Sequence, residues 1–152
     1  MNTIIEGGLD GSSLHVGVAA ARWNPSITDR LLEGALRRLD EMGVTDVTVL
    51  RVPGALELPV AARRLADAGC DAVIAIGCVV KGETDHYDIV VRESASGIGA
   101  VAVQSGVPVA NAILAVHDFQ LALDRAGDDD ANKGREAAEA AVSTANALAS
   151  VE

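Results

Sequence analysis

A single α/β domain, with one parallel four-stranded sheet covered by helices on both faces, is the architecture this sequence predicts. Two patterns lead to it. Apolar runs of strand length alternate four times with segments of helical apolar spacing. Gly, Pro and Asn punctuate the joints between them. Strands in such a sheet are buried on both sides and read as continuous apolar runs, as Ala72 to Ile76 does. The 152 residues suffice for a proper core, and no repeat or linker divides them, so 1–152 is expected to be one domain.

Taken in order, Met1 to Glu6 carries the apolar pair Ile4-Ile5 before the Gly7-Gly8 break. So short a segment either frays or pairs with a sheet edge, its own or another subunit's. His15 to Ala21 is the first strand. Asn24 reads as a helix N-cap and Pro25 as the first helical residue. Ile27, Leu31, Leu32, Ala35, Leu36 and Leu39 follow at helical spacing until Gly43. Asp46 to Val52 is the second strand, and Pro53-Gly54 breaks it. The second helix opens at Ala55 and runs to Gly69. Ala72 to Cys78 is the third strand, and His86 to Val103 a helix containing Gly97 and Gly99. Each of those glycines costs a helix about 1 kcal/mol relative to Ala, so a neighbouring backbone is expected to approach closely. Val107 to Val116 is the fourth strand, Asp118 to Ala126 a short helix, Asp128 to Asp130 a solvated charged turn, and Lys133 to Leu148 the last helix.

Composition excludes several functions. Hydrophobic residues make up 49% but aromatics only 2%, so the core is built from Ala, Val, Leu and Ile. A net charge of −10 argues against a nucleic-acid surface, which needs clustered Lys and Arg. An acidic, lysine-poor surface fits a salt-rich cytoplasm or a skewed codon composition. Cys70 and Cys78 form neither a CxxC pair nor a metal spacing and read as buried thiols in a reducing compartment. No signal peptide and no membrane-length apolar run is present, so a soluble, cytoplasmic protein is expected.

Candidate chemistry gathers at the C-terminal ends of the strands, where open α/β sheets bind ligands. Trp23 and Asn24 follow the first strand, Ala55, Leu56 and Glu57 the second, Val79 to His86 the third, and His117 and Asp118 the fourth. The third of these loops, Gly77 to His86, supplies a lysine, a threonine hydroxyl, a histidine and a helix start, groups suited to an anionic substrate and a proton transfer. The dinucleotide and P-loop glycine signatures, the G-x-S-x-G elbow and metal clusters are all absent. Each residue also has an ordinary structural reading. Trp23 can be packing, Glu57 a first-turn acid, Arg125 a complement to a helix C-terminus, and Lys133 a helix-start lysine.

In combination the motifs carry more. They are Arg22-Trp23-Asn24, Val52 to Pro59 (VPGALELP), Gly77 to Asp88 (GCVVKGETDHYD), Gly106 to Asn111 (GVPVAN), and Asp124 to Gly127 followed by Asn132 to Gly134. Their order and separation resemble the lumazine synthase family of riboflavin biosynthesis over nearly the whole chain. That resemblance implies a flavodoxin-like three-layer α/β/α sandwich. It implies condensation of 5-amino-6-(D-ribitylamino)uracil with 3,4-dihydroxy-2-butanone 4-phosphate to 6,7-dimethyl-8-ribityllumazine, without metal or cofactor. Homopentamers with active sites between neighbours are implied too, as are, in some members, 60-subunit shells that can enclose riboflavin synthase.

Carried over by position, the resemblance implies that Trp23 stacks on the pyrimidine, Ala55, Leu56 and Glu57 hold the ribityl chain and ring, and Cys78, Val79 and Val80 line the pocket. Glu83 and Thr84 would hold phosphate and His86 would transfer protons. From the neighbouring subunit would come Asn111 for the pyrimidine and Arg125 and Lys133 for the phosphate end. Departures are Trp23 for the usual Phe, Leu56 for Phe or Tyr, Lys81 for Arg, Asn111 for Phe, and the run Ala115 to Gln120. Two other readings stand beside the enzyme: a non-catalytic lumazine- or flavin-binding or shell-forming paralogue, and a different flavodoxin-like sugar-phosphate enzyme.

Overall fold

Burial on both faces determines which strand lies where. The computed structural model describes all residues from 1 to 152. Its strands are β1 (His15–Ala21), β2 (Asp46–Val52), β3 (Ala72–Val80) and β4 (Val109–Val116). Its helices are α1 (Pro25–Glu41), α2 (Leu58–Asp67), α3 (His86–Ser105), α4 (Phe119–Asp124) and α5 (Lys133–Ala149), with a 3₁₀ turn at Ala55–Glu57. The strand order is β2-β1-β3-β4, with every pair parallel. β1 and β3, the most continuously apolar runs, take the centre, while β2 and β4 form half-exposed edges.

Period-two geometry then splits the core into two layers. Val16, Val18 and Ala20 of β1 and Ala72, Ile74, Ile76 and Cys78 of β3 pack with α1 and α5. Ala19, Ala21, Val73 and Ala75 face α2 and α3 instead. The result is the predicted three-layer α/β/α sandwich, with the flavodoxin-like strand order.

Small residues let the layers close. Gly134, the second residue of α5, lies against α1, where an added Cβ would sit 1.9 Å from the Leu31 carbonyl oxygen. Beside it the Asn132 side chain caps α5 by accepting from the Arg135 N–H at 3.1 Å, and donates to the carbonyls of Arg30 and Gly127. In α3 the two glycines part company. A Cβ on Gly97 would strike the Pro59 ring at 2.5 Å, whereas Gly99 has nothing within 4 Å in this chain. The close neighbour expected for both is therefore a side chain, and only at Gly97.

Several boundaries differ from the expected ones. β3 continues to Val80 because β4 keeps pairing with it as far as Val116. β4 begins at Val109, since Pro108 has no N–H to donate, although its carbonyl accepts from Val73. The chain turns as a 3₁₀ segment before α2 starts at Leu58. At the N-terminus Met1 to Glu6 is exposed and joins no strand, while the segment after it, Gly7 to Asp10, lies along α5. The Ser143 hydroxyl donates to the Gly7 carbonyl, and the Asn146 amide donates to the carbonyls of Gly8 and Asp10.

The Leu31–Gly134 approach yields a stability prediction. Gly134→Ala is expected to cost about 2–3 kcal/mol, the overpacking range. At this chain length that lowers Tm by roughly 5–10 °C. Gly99→Ala, with no steric cost in the isolated chain, serves as the control in the same calorimetric comparison.

Candidate active site

The chain leaves β1 towards β2 on one side and reaches β3 on the other, which opens a crevice between β1 and β3 at their C-terminal ends. A cavity of about 320 Å³ lies there. Its walls come from four places: Ala21, Trp23 and Asn24 after β1; Gly54, Ala55, Leu56 and Glu57 after β2; Cys78, Val79 and Val80 at the end of β3; and His86 and Val90 at the start of α3. The lining is largely apolar, with a few polar groups spaced around it, as in pockets for planar organic ligands.

Each wall has a local cause. Pro53-Gly54 brings the chain beneath the indole: the Trp23 N–H donates to the Pro53 carbonyl at 2.9 Å, and a Cβ on Gly54 would meet the ring at 2.4 Å. No other residue fits under that ring without displacing it. The Glu57 carboxylate turns back to accept from the Gly54 N–H at 3.1 Å, which holds the 3₁₀ turn. The N–H groups of Ala55 and Leu56, at the head of that turn, donate to nothing in the chain and face ligand or solvent.

The loop between β3 and α3 forms the lip. Gly82, Glu83, Thr84 and Asp85 likewise have no backbone partner for their N–H groups, while the Thr84 hydroxyl accepts from the His86 N–H at 3.4 Å. Four open amides beside the start of a 20-residue helix make an anion-favouring lip. Lys81 stands 5.9 Å from the centre of the Tyr87 ring, and that ring meets His117 edge-on at 5.8 Å. Trp23 and Leu56 remain 62% and 45% exposed, so the cavity is open on the side of the indole.

A family model described as 6,7-dimethyl-8-ribityllumazine synthase matches residues 13–149. Relatives of that name are 50% identical in Kineococcus radiotolerans, over 94% of this chain and 90% of theirs, and 48% identical in Clavibacter sepedonicus over the same shares. One from Streptomyces avermitilis is 46% identical over 91% and 87%. The chain belongs to the 6,7-dimethyl-8-ribityllumazine synthase family.

Of the candidate residues named from sequence, Trp23, Ala55, Leu56, Glu57, Cys78, Val79, Val80 and His86 line the one cavity. Glu83 and Thr84 sit on its lip without lining it. Asn111, Arg125 and Lys133 are elsewhere in this chain. Asn111 is exposed on the β4 edge, where its side chain accepts from the Ile113 N–H at 2.8 Å. Arg125 ends α4, its guanidinium donating to the Leu121 carbonyl at 2.9 Å. The Lys133 N–H donates to the Arg125 carbonyl at 2.9 Å, which brings those two together outside the cavity lining.

The structure adds Ala21, Gly54 and Val90 to the wall, and places there Asn24, which the sequence grouped with the strand-end candidates without a role. Gly54 was legible as part of a Pro-Gly break, but Asn24 read as an N-cap. Its side chain instead crosses to β3, and no local pattern marks a bond between residues 54 positions apart.

Both thiols are free and buried. Burial pushes the Cys78 thiol up to about 11, and burial together with the Asp71 and Asp46 carboxylates raises that of Cys70. Raised thiols in apolar surroundings are poor nucleophiles at neutral pH. With Cys78 shifted about two units above a free thiol, its thiolate fraction at pH 8 falls by about 100-fold. Thiol titration is expected to find two fast-reacting groups in denaturant and none in the native protein. The same shift works against the fold in alkali. The unfolded thiol ionises first, so this contribution to stability is complete below about pH 8.5 and declines as pH rises towards 11.

Proposed function

We propose that this chain condenses 5-amino-6-(D-ribitylamino)uracil with 3,4-dihydroxy-2-butanone 4-phosphate in the β1–β3 cavity, giving 6,7-dimethyl-8-ribityllumazine, phosphate and water. The observation that carries this reading is convergence. Eight residues singled out from separate sequence motifs line one cavity at the topological switch of the sheet. A cavity assembled only to bind or to build a shell has no need of a histidine at its lip, which disfavours the non-catalytic reading.

In this reading the indole of Trp23 offers a flat apolar face to the pyrimidine. The open N–H groups of Ala55 and Leu56 and the Glu57 carboxylate take ribityl hydroxyls, and the backbone of Cys78 to Val80 forms the opposite wall. The aromatic amine attacks the ketone, water and phosphate leave, and the ring closes. Holding two reactive substrates together supplies most of the acceleration, worth about 7–11 kcal/mol in favourable cases. His86 shuttles protons between the steps, and the family reaction calls for no metal or cofactor.

Phosphate needs more than one chain offers. The amides of the 82–85 loop and the Thr84 hydroxyl can accept an anion, but Glu83, Asp85 and Asp88 oppose it, with only Lys81 as a fixed cation nearby. Glu83 therefore serves through its backbone, with its carboxylate turned outward. Arg125 supplies the missing charge from a neighbouring copy, Lys133 beside it adds less because Glu136 holds its ammonium at 3.0 Å, and Asn111 on the exposed β4 edge reaches the pyrimidine from the same neighbour. A homopentamer of the family kind is the assembly proposed. A 60-subunit shell enclosing riboflavin synthase is a further step, opposed by the like charges of Asp128 to Asp130 only in part, since Asp128 pairs with Arg37 and Asp130 with Arg135. The expected setting is the cytoplasm.

The direct test follows lumazine absorbance and phosphate release on mixing the purified protein with both substrates. A rate no higher than background, with lumazine still bound, would overturn the enzyme reading in favour of the binder. Arg125→Ala is expected to lower kcat/KM by about 10³-fold, the loss of two charge-assisted bonds of about 2 kcal/mol each. It should exceed the loss in His86→Ala, and a reversed order would show that proton transfer outweighs phosphate binding. If sites are shared, co-refolding these two defective variants restores part of the activity, because some mixed interfaces regain both residues. Sedimentation at five times the chain mass is the expected companion result.

A further inference from the structure

We infer that Asn24 is a positioning residue that sets pyrimidine affinity by tying the Trp23 wall of the cavity to the β3 wall. The inference rests on the functional reading above and goes beyond it, since Asn24 has no part in the roles assigned there. Asn24 is the single non-glycine residue with positive φ, at φ 59° and ψ 54°. Asn tolerates this left-handed region better than most side chains. The conformation turns its side chain away from the amides at the start of α1, so no side-chain cap forms there. The Asn24 carbonyl accepts the ordinary first helical bond from Thr28 at 3.0 Å and takes the Ile27 amide as well at 2.9 Å.

The freed side chain spans the crevice. Its Nδ2 donates to the Cys78 carbonyl at 2.7 Å. The β1–β3 ladder has its last pair at Ala20 and Ile76, and in a strand the residue two further on faces the same neighbour. Asn24 thus supplies one more rung where the two strands have begun to part. Without it the Cys78 carbonyl, at the head of the Cys78–Val80 wall, loses its tie to the β1 side.

The same rung holds the indole. Trp23 is 62% exposed, so packing alone does not orient it. Its backbone is fixed from both directions: its N–H donates to Pro53, and its carbonyl accepts from the fully buried Thr28 hydroxyl at 3.4 Å, which also donates to the Asn24 carbonyl at 3.3 Å. Asn24 joins this β1–α1 turn to β3, so the separation of the two walls, and with it the slot for a flat ring, depends on one amide.

Two variants separate the side chain from the backbone. Asn24→Gly keeps the left-handed conformation and removes the tether; Asn24→Asp keeps the shape and replaces the donor with an acceptor facing a carbonyl. Each is expected to raise KM for the pyrimidine by about 10-fold, the weight of one hydrogen bond, with KM for the ketone phosphate and kcat changed by less than about 3-fold. Trp23 is the sole tryptophan, so its fluorescence anisotropy in the ligand-free protein should fall in both variants. Unchanged pyrimidine KM and anisotropy in both would overturn the inference. So would equal rises in both KM values alongside a lower Tm, the mark of general loosening. Should the wild-type protein fail to bind the pyrimidine, the functional reading fails, and the ligand-free anisotropy alone decides whether Asn24 holds the indole.

Discussion

β3 is covered on both faces and paired on both edges, and the rest of the molecule follows from that. A strand so placed carries no polar side chain, because none would find a partner inside; Ala72 to Ile76 are fully buried and wholly apolar. Chemistry is thereby pushed to the point where the strand emerges. Beyond Ile76 the β1 side of β3 is free while the β4 side stays paired to Val80. That asymmetry, created by the strand order, is the cavity. Its floor is backbone and small side chains, and its polar groups arrive on loops after β1, β2 and β3.

Small residues make this geometry affordable in a core almost without aromatics. Alanine fills much of the layer facing α2 and α3, with Ala19, Ala21, Ala55, Ala61, Ala62 and Ala75 buried there. Helices can then approach the sheet closely, and the positions that would prevent it are glycine: Gly134 against Leu31, Gly97 against Pro59, and Gly54 under Trp23. The last of these belongs to the site as much as to the fold. A core that spends little volume on side chains leaves the one tryptophan for the ligand-facing surface.

The strands were legible because continuous apolar runs have few alternatives at that length, and β1 and β2 fell where the pattern put them. The ends were less so. Val79 and Val80 remain in β3 because a partner strand continues beside them, which is information held in β4. The cavity-lining residues could be named because the motifs lie at strand ends, and topology alone collects strand ends on one edge. Asn24 was read only in part, for a related reason: it does hold the N-cap position, but its side chain does not cap the helix. An Asn before a Pro at a helix start looks like a cap, and only the left-handed backbone and the Cys78 carbonyl across the crevice show its other use. Arg125 illustrates both sides of the matter: in this chain it occupies the helix C-terminus that its ordinary reading gave it.

Charge supports the proposal that the site extends beyond one chain. A cavity meant for a phosphate ester opens beside a lip where acidic groups outnumber the fixed cation, on a protein of net charge −10. Open backbone amides and a helix start offset part of that repulsion, but partial charges of this kind favour an anion by only about 0.3–1 kcal/mol near an exposed surface. A dianion bound firmly there requires full positive charges at close range. The cations able to provide them are few. Arg37, Arg38, Arg51, Arg63, Arg92 and Arg135 are engaged in ion pairs with acidic side chains, as is Lys133 with Glu136, whereas Arg22, Arg30, Arg64 and Arg125 have no acidic partner, and Arg125 holds only a backbone carbonyl. Under the proposed shared site, an arginine without an acidic partner and outside its own cavity lining, as Arg125 is, suits that task. In the proposed homopentamer, assembly and catalysis become one requirement rather than two, because a copy closing the open side of the cavity would also bring the charge that its substrate lacks.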